Sequence, residues 1–287
     1  MKNKLPDEWQ DWIRTSLKDG FDSDDILSKM IELGVDAKLA NEAINHLNDN
    51  KMTEIYNLKY KEIESKRIIS AYFKRGLHKI GLYPEKTLNI SNAERYHSSE
   101  IELYTIKNFL STDECNKVCD LIKTKLKPSA IVHEGNYDTT IRTSKTCDLG
   151  LLESSFIDSI DERICSTMNL DHSLSEVMQG QFYEVGHEFK PHHDYFEGSE
   201  KIVEKHTRTQ GQRTYTFMVY LNDVEMGGET CFPYLKKVFS PIKGQALIWN
   251  NSRYDGLPNP KTLHQGKPVK LGSKSIITKW FREKIEL

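Results

Sequence analysis

Three residues, His192, Asp194 and His264, most constrain what this chain can fold into. Successive side chains of a β-strand point to opposite faces, so His192 and Asp194 project to one side of a strand and His193 to the other. Strand twist and a local bend can bring the first two side chains onto one ion. His264 is followed by the turn-forming residues 265–268, and the residues beyond have β character. The pattern predicts a β-rich cavity that contains all three side chains.

Two imidazoles and a carboxylate can hold one face of a ferrous ion and leave the opposite coordination positions open. Lys274, ten residues after His264 and expected on a neighbouring strand, is suited to the distal carboxylate of a 2-oxo acid that chelates this ion. A carboxylate inside an apolar cavity needs a cation and hydrogen-bond donors beside it. The candidate donors are Tyr183, Tyr220 and Thr230. These residues indicate redox chemistry with iron, a 2-oxo acid and O2.

Three separate motifs resemble those of a known family. They are the stretch QGQFYEVGHEFKPHHDYF at 179–196, the pair GQRT at 211–214 and YLNDVEMGGETCFP at 220–233, and the closing HQGKPVKLGSK at 264–274 followed by KWF at 279–281. In this order they resemble the signatures of prolyl 4-hydroxylases, over roughly residues 100 to 285. The resemblance is to bacterial-type, cytoplasmic members of the family, here with an N-terminal helical extension.

The resemblance implies an Fe(II)- and 2-oxoglutarate-dependent dioxygenase that hydroxylates a prolyl residue at C4 and releases succinate and CO2. Its cosubstrates would be 2-oxoglutarate and O2, with ascorbate as the reductant, and its partner a protein or peptide with a proline-containing loop. The family's iron ligands match His192, Asp194 and His264. Its 2-oxoglutarate-binding positions match Lys274, Tyr183 and Thr230. The positions that shape the peptide groove match Arg142, Ser144, Glu176, Arg213 and Trp280.

One departure from the family concerns the substrate side of the pocket. The family has a tyrosine directly before its x-Pro-His element, where this chain has Phe189. A hydroxyl is therefore absent where the substrate is expected. The same chemistry on a non-prolyl residue or a small molecule is accordingly an alternative function.

Two further alternatives belong to other classes. A nucleic-acid demethylase would share the iron face, but such enzymes resemble one another in arginines after the distal histidine, where this chain has Lys274. The net charge of −2, from 40 basic and 42 acidic residues, provides no electrostatic argument for binding phosphates. A non-catalytic binding module that keeps the barrel is the third reading, and the intact set of ligands argues against it.

Composition and targeting signals bound the location of the protein. No apolar run approaches the ~20 residues that span a bilayer, and the first residues lack the apolar core of a signal peptide. Five cysteines at irregular spacing do not predict a disulfide framework. We therefore expect a cytoplasmic enzyme that binds neither nucleic acid nor membranes.

Hydrophobic periodicity predicts two domains, a helical one over residues 1–90 and a dioxygenase domain over residues 91–287. Three short amphipathic helices should form a small bundle, the second capped by 23–25 and the third by Asp36, followed by a charged helix near 53–75. The bundle either stabilises the protein passively or docks a protein partner.

Beyond the helices, short strands separated by Gly and Pro turns predict an α+β fold. The metal motif selects its architecture, a double-stranded β-helix, or jelly-roll, catalytic core with flanking helices. The polar stretch 197–210 is interpreted as a mobile lid over this core.

Overall fold

The computed structural model describes residues 5–18, 21–47, 50–79, 87–129, 131–133, 136–138 and 141–283. Helices dominate the first part of the chain and also flank the strands. The α-helices of the described residues are α1 (Asp7–Lys18), α2 (Ser23–Glu32), α3 (Ala37–Leu47), α4 (Asn50–Lys79), α5 (Thr112–Thr124), α6 (Ser155–Met168) and α7 (Glu200–Thr207). None of them is long and apolar enough to cross a membrane.

All the strands of the described residues lie after residue 93. In chain order they are β1 (Glu94–Tyr96), β2 (Leu103–Ile106), β3 (Lys127–Pro128), β4 (Ile131–His133), β5 (Asn136–Asp138), β6 (Lys145–Asp148), β7 (Gln179–Tyr183), β8 (Phe189–His192), β9 (Arg213–Tyr220), β10 (Met226–Gly227), β11 (Thr230–Phe232), β12 (Lys237–Phe239), β13 (Ala246–Asn250), β14 (His264–Gly266), β15 (Val269–Leu271) and β16 (Lys274–Arg282).

Two antiparallel sheets enclose the cavity. The larger has eight strands in the order β1-β2-β13-β9-β16-β7-β6-β3, and the smaller has four in the order β12-β11-β14-β8. Aromatic and aliphatic side chains from both sheets pack between them, including Tyr220 and Trp249 of the larger sheet and Phe232 of the smaller. This arrangement confirms the predicted α+β fold with a double-stranded β-helix core.

Helices α5 and α6 cover the outer face of the larger sheet and form the main hydrophobic core with it. Helix α5 begins with a capping box, in which Ser111 and Glu114 satisfy each other's backbone N–H groups. Gly180 of β7 lies directly beneath Ile122 of α5, where a Cβ atom would overlap the isoleucine side chain. The close approach of α5 to the sheet therefore requires glycine at this position.

The first three helices have a hydrophobic cluster of their own, which includes Ile13, Ile26, Met30 and Ile44. Asp36 caps α3 as predicted, because its carboxylate accepts hydrogen bonds from two backbone N–H groups of the first turn. The predicted cap of α2 at 23–25 was one residue late: Asp22 is the N-cap.

The region between the helices and the strands was expected to be the domain boundary. Residues 80–86 lie outside the described part of the chain. Leu88 and Ile90 already pack with the core formed by α5, α6 and the larger sheet. The division after residue 90 stays a prediction.

The stretch 197–210 contains helix α7, whose Thr207 is buried, and its role as a mobile lid stays a prediction. One local expectation was wrong. His264 and Lys274 do not lie on neighbouring strands: β14 belongs to the smaller sheet and β16 to the larger. The turn after β14 and the short strand β15 carry the chain from one sheet to the other, so the two side chains approach the cavity from opposite walls.

Candidate metal centre and active site

The two predicted histidine ligands face each other across a ladder of the smaller sheet. His192 of β8 and His264 of β14 are directly opposite in register, and their ring centroids lie 4.2 Å apart. The Nδ1 atom of His192 lies 2.7 Å from the carbonyl oxygen of Lys190, and that of His264 lies 2.9 Å from the carbonyl oxygen of Thr262. A carbonyl only accepts hydrogen bonds, so both Nδ1 atoms must donate. Both Nε2 atoms are left with a lone pair for a metal.

Asp194 joins the histidines through a bend in the chain. Strand β8 ends at His192, and the chain turns so that the Asp194 carboxylate lies 3.7 Å from Nε2 of His192 and 3.8 Å from Nε2 of His264. The Thr216 hydroxyl donates a hydrogen bond of 2.7 Å to this carboxylate, and the Asn251 side-chain amide donates one of 2.9 Å to Thr216. Partners of this kind fix the orientation of a metal-binding carboxylate.

The electrostatics of the three groups suit metal binding. Burial lowers the pKa of His192 and of His264, so both imidazoles are neutral near pH 7. Burial alone would raise the pKa of Asp194, but His264, His192 and Arg213, with the Thr216 hydroxyl, lower it overall. The site therefore offers two neutral nitrogen donors and one carboxylate.

These donors fit Fe(II). One ligand atom from each of His192, Asp194 and His264 lies within 4.8 Å of the others. Two imidazole nitrogens and one carboxylate oxygen form the facial triad of non-haem Fe(II) oxygenases. The predicted ligands are thus together in one pocket, and their role as iron ligands rests on this donor set.

His193 lies outside the triad, as strand alternation predicted. Its Nδ1 is 2.9 Å from the Glu197 carboxylate, and its Nε2 is 3.0 Å from the carbonyl oxygen of Pro260. Burial alone would lower the pKa of His193, but the bonds to Glu197 and Pro260 raise it overall. With both ring nitrogens engaged, His193 anchors the chain next to Asp194.

An aromatic wall surrounds the histidines. Phe189 stacks on His192 with ring centroids 3.3 Å apart and nearly parallel planes. Phe232 stacks on His264 at 5.4 Å, and Trp249 meets the same imidazole edge-on at 4.8 Å. No sequence pattern distinguished Trp249 from an ordinary core residue, but Trp249 lines the pocket and its indole N–H has no partner among the described residues.

Lys274 lies in the same pocket, on the wall opposite His264. Its Nζ is 5.3 Å from the ring centroid of Tyr183 and 5.6 Å from that of Tyr220. The Tyr220 hydroxyl donates a hydrogen bond of 2.7 Å to the hydroxyl of Thr230. The side chains predicted to hold the distal carboxylate therefore lie together, around the ammonium group of Lys274.

The ammonium group of Lys274 has no anionic partner here. The residue is 2% exposed, and none of the ion pairs among the described residues includes it. Burial lowers its pKa to about 7, and the more distant Glu229 opposes this only in part. A buried cation without a counter-ion is costly, and an anionic ligand would remove the cost.

Three of the predicted groove residues form one cluster. Arg213 makes a bidentate ion pair with Glu176, with both N–O distances 2.6 Å, and its guanidinium lies 4.1 Å from the ring centroid of Trp280. Arg213 also donates to the backbone carbonyl of Asp194, at 3.3 Å. The sequence did not identify Arg282, which binds the same Glu176 carboxylate at 2.8 Å. The cluster therefore directly adjoins Asp194, one of the candidate iron ligands.

Arg142 and Ser144 lie elsewhere. The Arg142 guanidinium donates to the Ser144 hydroxyl at 3.2 Å and to the Thr146 hydroxyl at 3.2 Å, and it lies 5.2 Å from the ring centroid of Phe189. Arg142 and Ser144 are 7% and 2% exposed, and neither lines the pocket. Their role in binding a peptide stays a prediction. In the structure, Arg142 packs near the Phe189 ring and supports its position.

A second group of metal-binding residue types consists of Asp161, Cys165 and His172. The Asp161 carboxylate is already paired with Lys279 at 2.7 Å and with His172 at 2.6 Å. A cation at this point would compete with the ammonium of Lys279, so the first group is the better metal site. The five cysteines are all unpaired, as the sequence predicted.

Comparisons with known proteins agree with this geometry. The family model described as the 2OG-Fe(II) oxygenase superfamily matches residues 178–282. Probable prolyl 4-hydroxylase 3 of Arabidopsis thaliana is 31% identical over 255 residues, which cover 79% of this chain and 84% of that protein. The chain belongs to the prolyl 4-hydroxylase family.

Two other prolyl hydroxylases are similar to a shorter part of the chain. Prolyl 4-hydroxylase 5 of Arabidopsis thaliana is 33% identical over 196 residues, 61% of this chain and 66% of that protein, just under two thirds of its length. The crystal structure of the viral collagen prolyl hydroxylase from Paramecium Bursaria Chlorella virus-1, in complex with 2-oxoglutarate, gives a TM-score of 0.51 at 28% identity and covers 63% of this chain and 96% of that one. The prediction of a prolyl 4-hydroxylase-like Fe(II)/2-oxoglutarate oxygenase is confirmed.

Proposed function

We propose that this prolyl 4-hydroxylase-like oxygenase hydroxylates C4 of a proline in a protein or peptide. The observation that supports its cofactor chemistry most directly is the buried ammonium of Lys274, which faces the His192, Asp194 and His264 side chains without an anionic partner. A 2-oxo acid dianion that chelates the metal at one end would satisfy this ammonium at the other. Bound iron, with 2-oxoglutarate and O2, supplies the oxidising power that inserts one oxygen atom into a C–H bond, with release of succinate and CO2.

The protein's own residues would perform the positioning. The Thr216 hydroxyl orients Asp194, and the backbone carbonyls of Lys190 and Thr262 hold the two imidazoles in the metal-binding tautomer. The aromatic wall excludes water from the reacting centre. The peptide would lie along the cluster of Arg213, Glu176 and Trp280, which the matching positions of the family suggest for this role.

The test is a peptide-dependent reaction. With Fe(II), ascorbate and 2-oxoglutarate, a proline-containing peptide should gain one oxygen atom, amino-acid analysis should identify 4-hydroxyproline, and succinate should form in equal amount. The same peptide with each proline replaced by alanine is the control. Equal oxygen incorporation into both peptides would refute the prolyl target.

One observation favours a second target. Phe189 covers the face of His192 with an apolar ring and offers no hydroxyl to the substrate. We therefore also propose the same chemistry on a non-prolyl residue or a small molecule as the alternative. Mass spectrometry of the host proteome with and without this chain, searching for a lost addition of one oxygen, decides between the two.

Location, reductant and docking are further parts of the proposal. A cytoplasmic, bacterial-type enzyme with ascorbate as its reductant follows from the resemblance of the motifs, and five unpaired cysteines suit a reducing compartment. Docking of the substrate protein through α1–α3 is supported by apolar side chains that these helices expose, among them Trp12 and Ile31. Deletion of residues 1–47 should then weaken hydroxylation of the whole substrate protein while a short peptide is hydroxylated as before.

A further inference from the structure

Helix α4 of the amino-terminal extension presents one face to the oxygenase core. Tyr60, Arg67, Ala71 and Arg75 recur at spacings of seven and four residues, which places them on the same side of a helix. Arg67 donates to the carbonyl oxygen of Gly256 at 3.0 Å, Arg75 pairs with Asp255 at 2.5 Å, and Ala71 is fully buried. These contacts extend along more than half of the helix. They hold this face of α4 against the oxygenase core.

One contact on this face reaches helix α7. The hydroxyls of Tyr60 and Thr207 lie 2.8 Å apart, and the two residues are 8% and 1% exposed. Because the Thr207 hydroxyl donates to the carbonyl oxygen of Val203 at 2.7 Å, the Tyr60 hydroxyl is the donor in the bond to Thr207. In this buried position water is poorly placed to replace the tyrosine hydroxyl.

Helix α7 in turn contacts Arg282, which adjoins the cluster of Arg213, Glu176 and Trp280 beside the candidate iron ligands. The carbonyl oxygen of His206 accepts a hydrogen bond from Arg282, and the His206 ring stacks on Phe196 at 4.8 Å with planes 8° apart. Arg282 then binds Glu176, and Glu176 binds Arg213. Each link is a hydrogen bond or an ion pair between buried or half-buried groups.

A second route leads from α4 to the same place. The Arg67 guanidinium lies 3.6 Å from the Glu283 carboxylate, and the Glu283 backbone N–H donates to the carbonyl oxygen of Gln212 at 2.8 Å. The Gln212 side chain binds both the N–H and the carbonyl of Phe196, at 2.8 and 2.7 Å. The two routes converge on Phe196, two residues after Asp194, where the ring packs 4.8 Å from Arg213.

We propose that α4 positions the peptide-binding face of the oxygenase, with Tyr60 as the positioning residue that holds α7 against Arg282 and Phe196. This inference rests on the proposed function, because it assigns peptide binding to the Arg213 cluster. Arg213 must stay over the Trp280 ring while it binds Glu176 and the carbonyl of Asp194. The carbonyl of His206 restrains Arg282, Arg282 restrains Glu176, and Glu176 restrains Arg213. Greater mobility of α7 would therefore loosen the position of Arg213, which the peptide would contact. Lys274 and the Tyr183, Tyr220 and Thr230 side chains around it lie outside this network.

The test removes one hydroxyl. Tyr60→Phe should speed hydrogen exchange of the α7 amides about threefold to tenfold, as expected for the loss of a neutral hydrogen bond. It should also raise the KM for peptide several-fold, with the KM for 2-oxoglutarate and the rate of peptide-free 2-oxoglutarate turnover unchanged. Tyr72→Phe is the matched control, because Tyr72 lies on the same helix and is 68% exposed. Thr207→Val should reproduce the Tyr60→Phe effects, and the double variant should add little further.

The outcomes separate the two proposals. Unchanged exchange in α7, or equal changes in Tyr60→Phe and Tyr72→Phe, would overturn the role of Tyr60. Faster exchange with an unchanged KM for peptide would overturn the coupling to the peptide-binding face. If the wild-type enzyme hydroxylates no proline-containing peptide, the proposed function fails, and the exchange measurement alone decides whether Tyr60 holds α7.

Discussion

The affinity for 2-oxoglutarate should depend on pH through Lys274. Burial lowers the pKa of this ammonium to about 7 in the ligand-free protein. The dianion binds the protonated form, whose fraction falls as the pH rises through 7. Between about pH 6 and about pH 8 that fraction falls about tenfold, so the dissociation constant should rise about tenfold, equivalent to about 1.4 kcal/mol. Burial also lowers the pKa values of the two histidine ligands, so they titrate at lower pH than Lys274.

Calorimetric titration of the Mn(II)-loaded enzyme with 2-oxoglutarate measures this effect without turnover. Repeating the titration at pH 7 in buffers of different ionisation enthalpy should show uptake of about half a proton per ligand bound. Lys274→Arg keeps its charge at all these pH values and should flatten the profile, whereas Lys274→Met should bind weakly at every pH. An equal dissociation constant at the two ends of the range, with no proton uptake, would refute the idea that a buried ammonium of depressed pKa receives the ligand.

The remaining predictions concern the metal-binding residues, Lys274 and a second buried lysine, Lys279. Asp194→Ala or His264→Ala should abolish 2-oxoglutarate turnover, and activity that survived either change would remove that residue from the metal site. Thr216→Val should lower metal affinity about 10- to 100-fold in a chelator competition, since Asp194 loses its orienting hydroxyl; Thr214→Val, which loses only a bond to the Phe281 carbonyl, should not. Lys274→Met should stabilise the ligand-free protein near neutral pH by up to about 5 kcal/mol, because a fall in pKa from 10.5 to about 7 is a folding cost of that size. The stability of the wild type should accordingly rise with pH between about 7 and 10.5, where the unfolded chain binds the extra proton, and the slope should be smaller in the variant. By contrast, Lys279→Met should destabilise the protein by about 3 kcal/mol, since it leaves Asp161 without its buried partner; chemical denaturation measures both changes.

Local rules of chain geometry were enough to select, from the sequence, the side chains that the structure brings together as candidate metal ligands. Strand alternation separated His192 from His193, and the structure places His193 on its own anchoring partners. The alternation did not predict that the strand ends at His192, and it is the following bend that brings Asp194 back to the histidines.

Residues that act through distant contacts were not predictable in this way. Thr216 meets Asp194, and Arg282 meets Glu176, only after strands far apart in sequence have paired. Short-range periodicity contains no information about these partners. The same reason explains why His264 and Lys274 were expected on adjacent strands: the nine residues between them allow either a hairpin or a crossing between two sheets. Helix α7 was missed because it is short and mostly polar, and its one buried residue, Thr207, meets a helix 147 residues earlier in the chain.

The hydrogen-bonded pairing of β8 with β14 makes the candidate metal centre sensitive to insertions within β14. Insertions in the loop before α7 should be better tolerated. His192 and His264 are directly opposite, and a bulge lies between His264 and Gly266. One residue added inside β14 would shift this alignment and turn an imidazole out of the cavity. The loop before α7 is free of that constraint, because its length does not affect the ladder. Variation in length among relatives of this enzyme should therefore be commoner between Phe196 and α7 than in the few residues around His264.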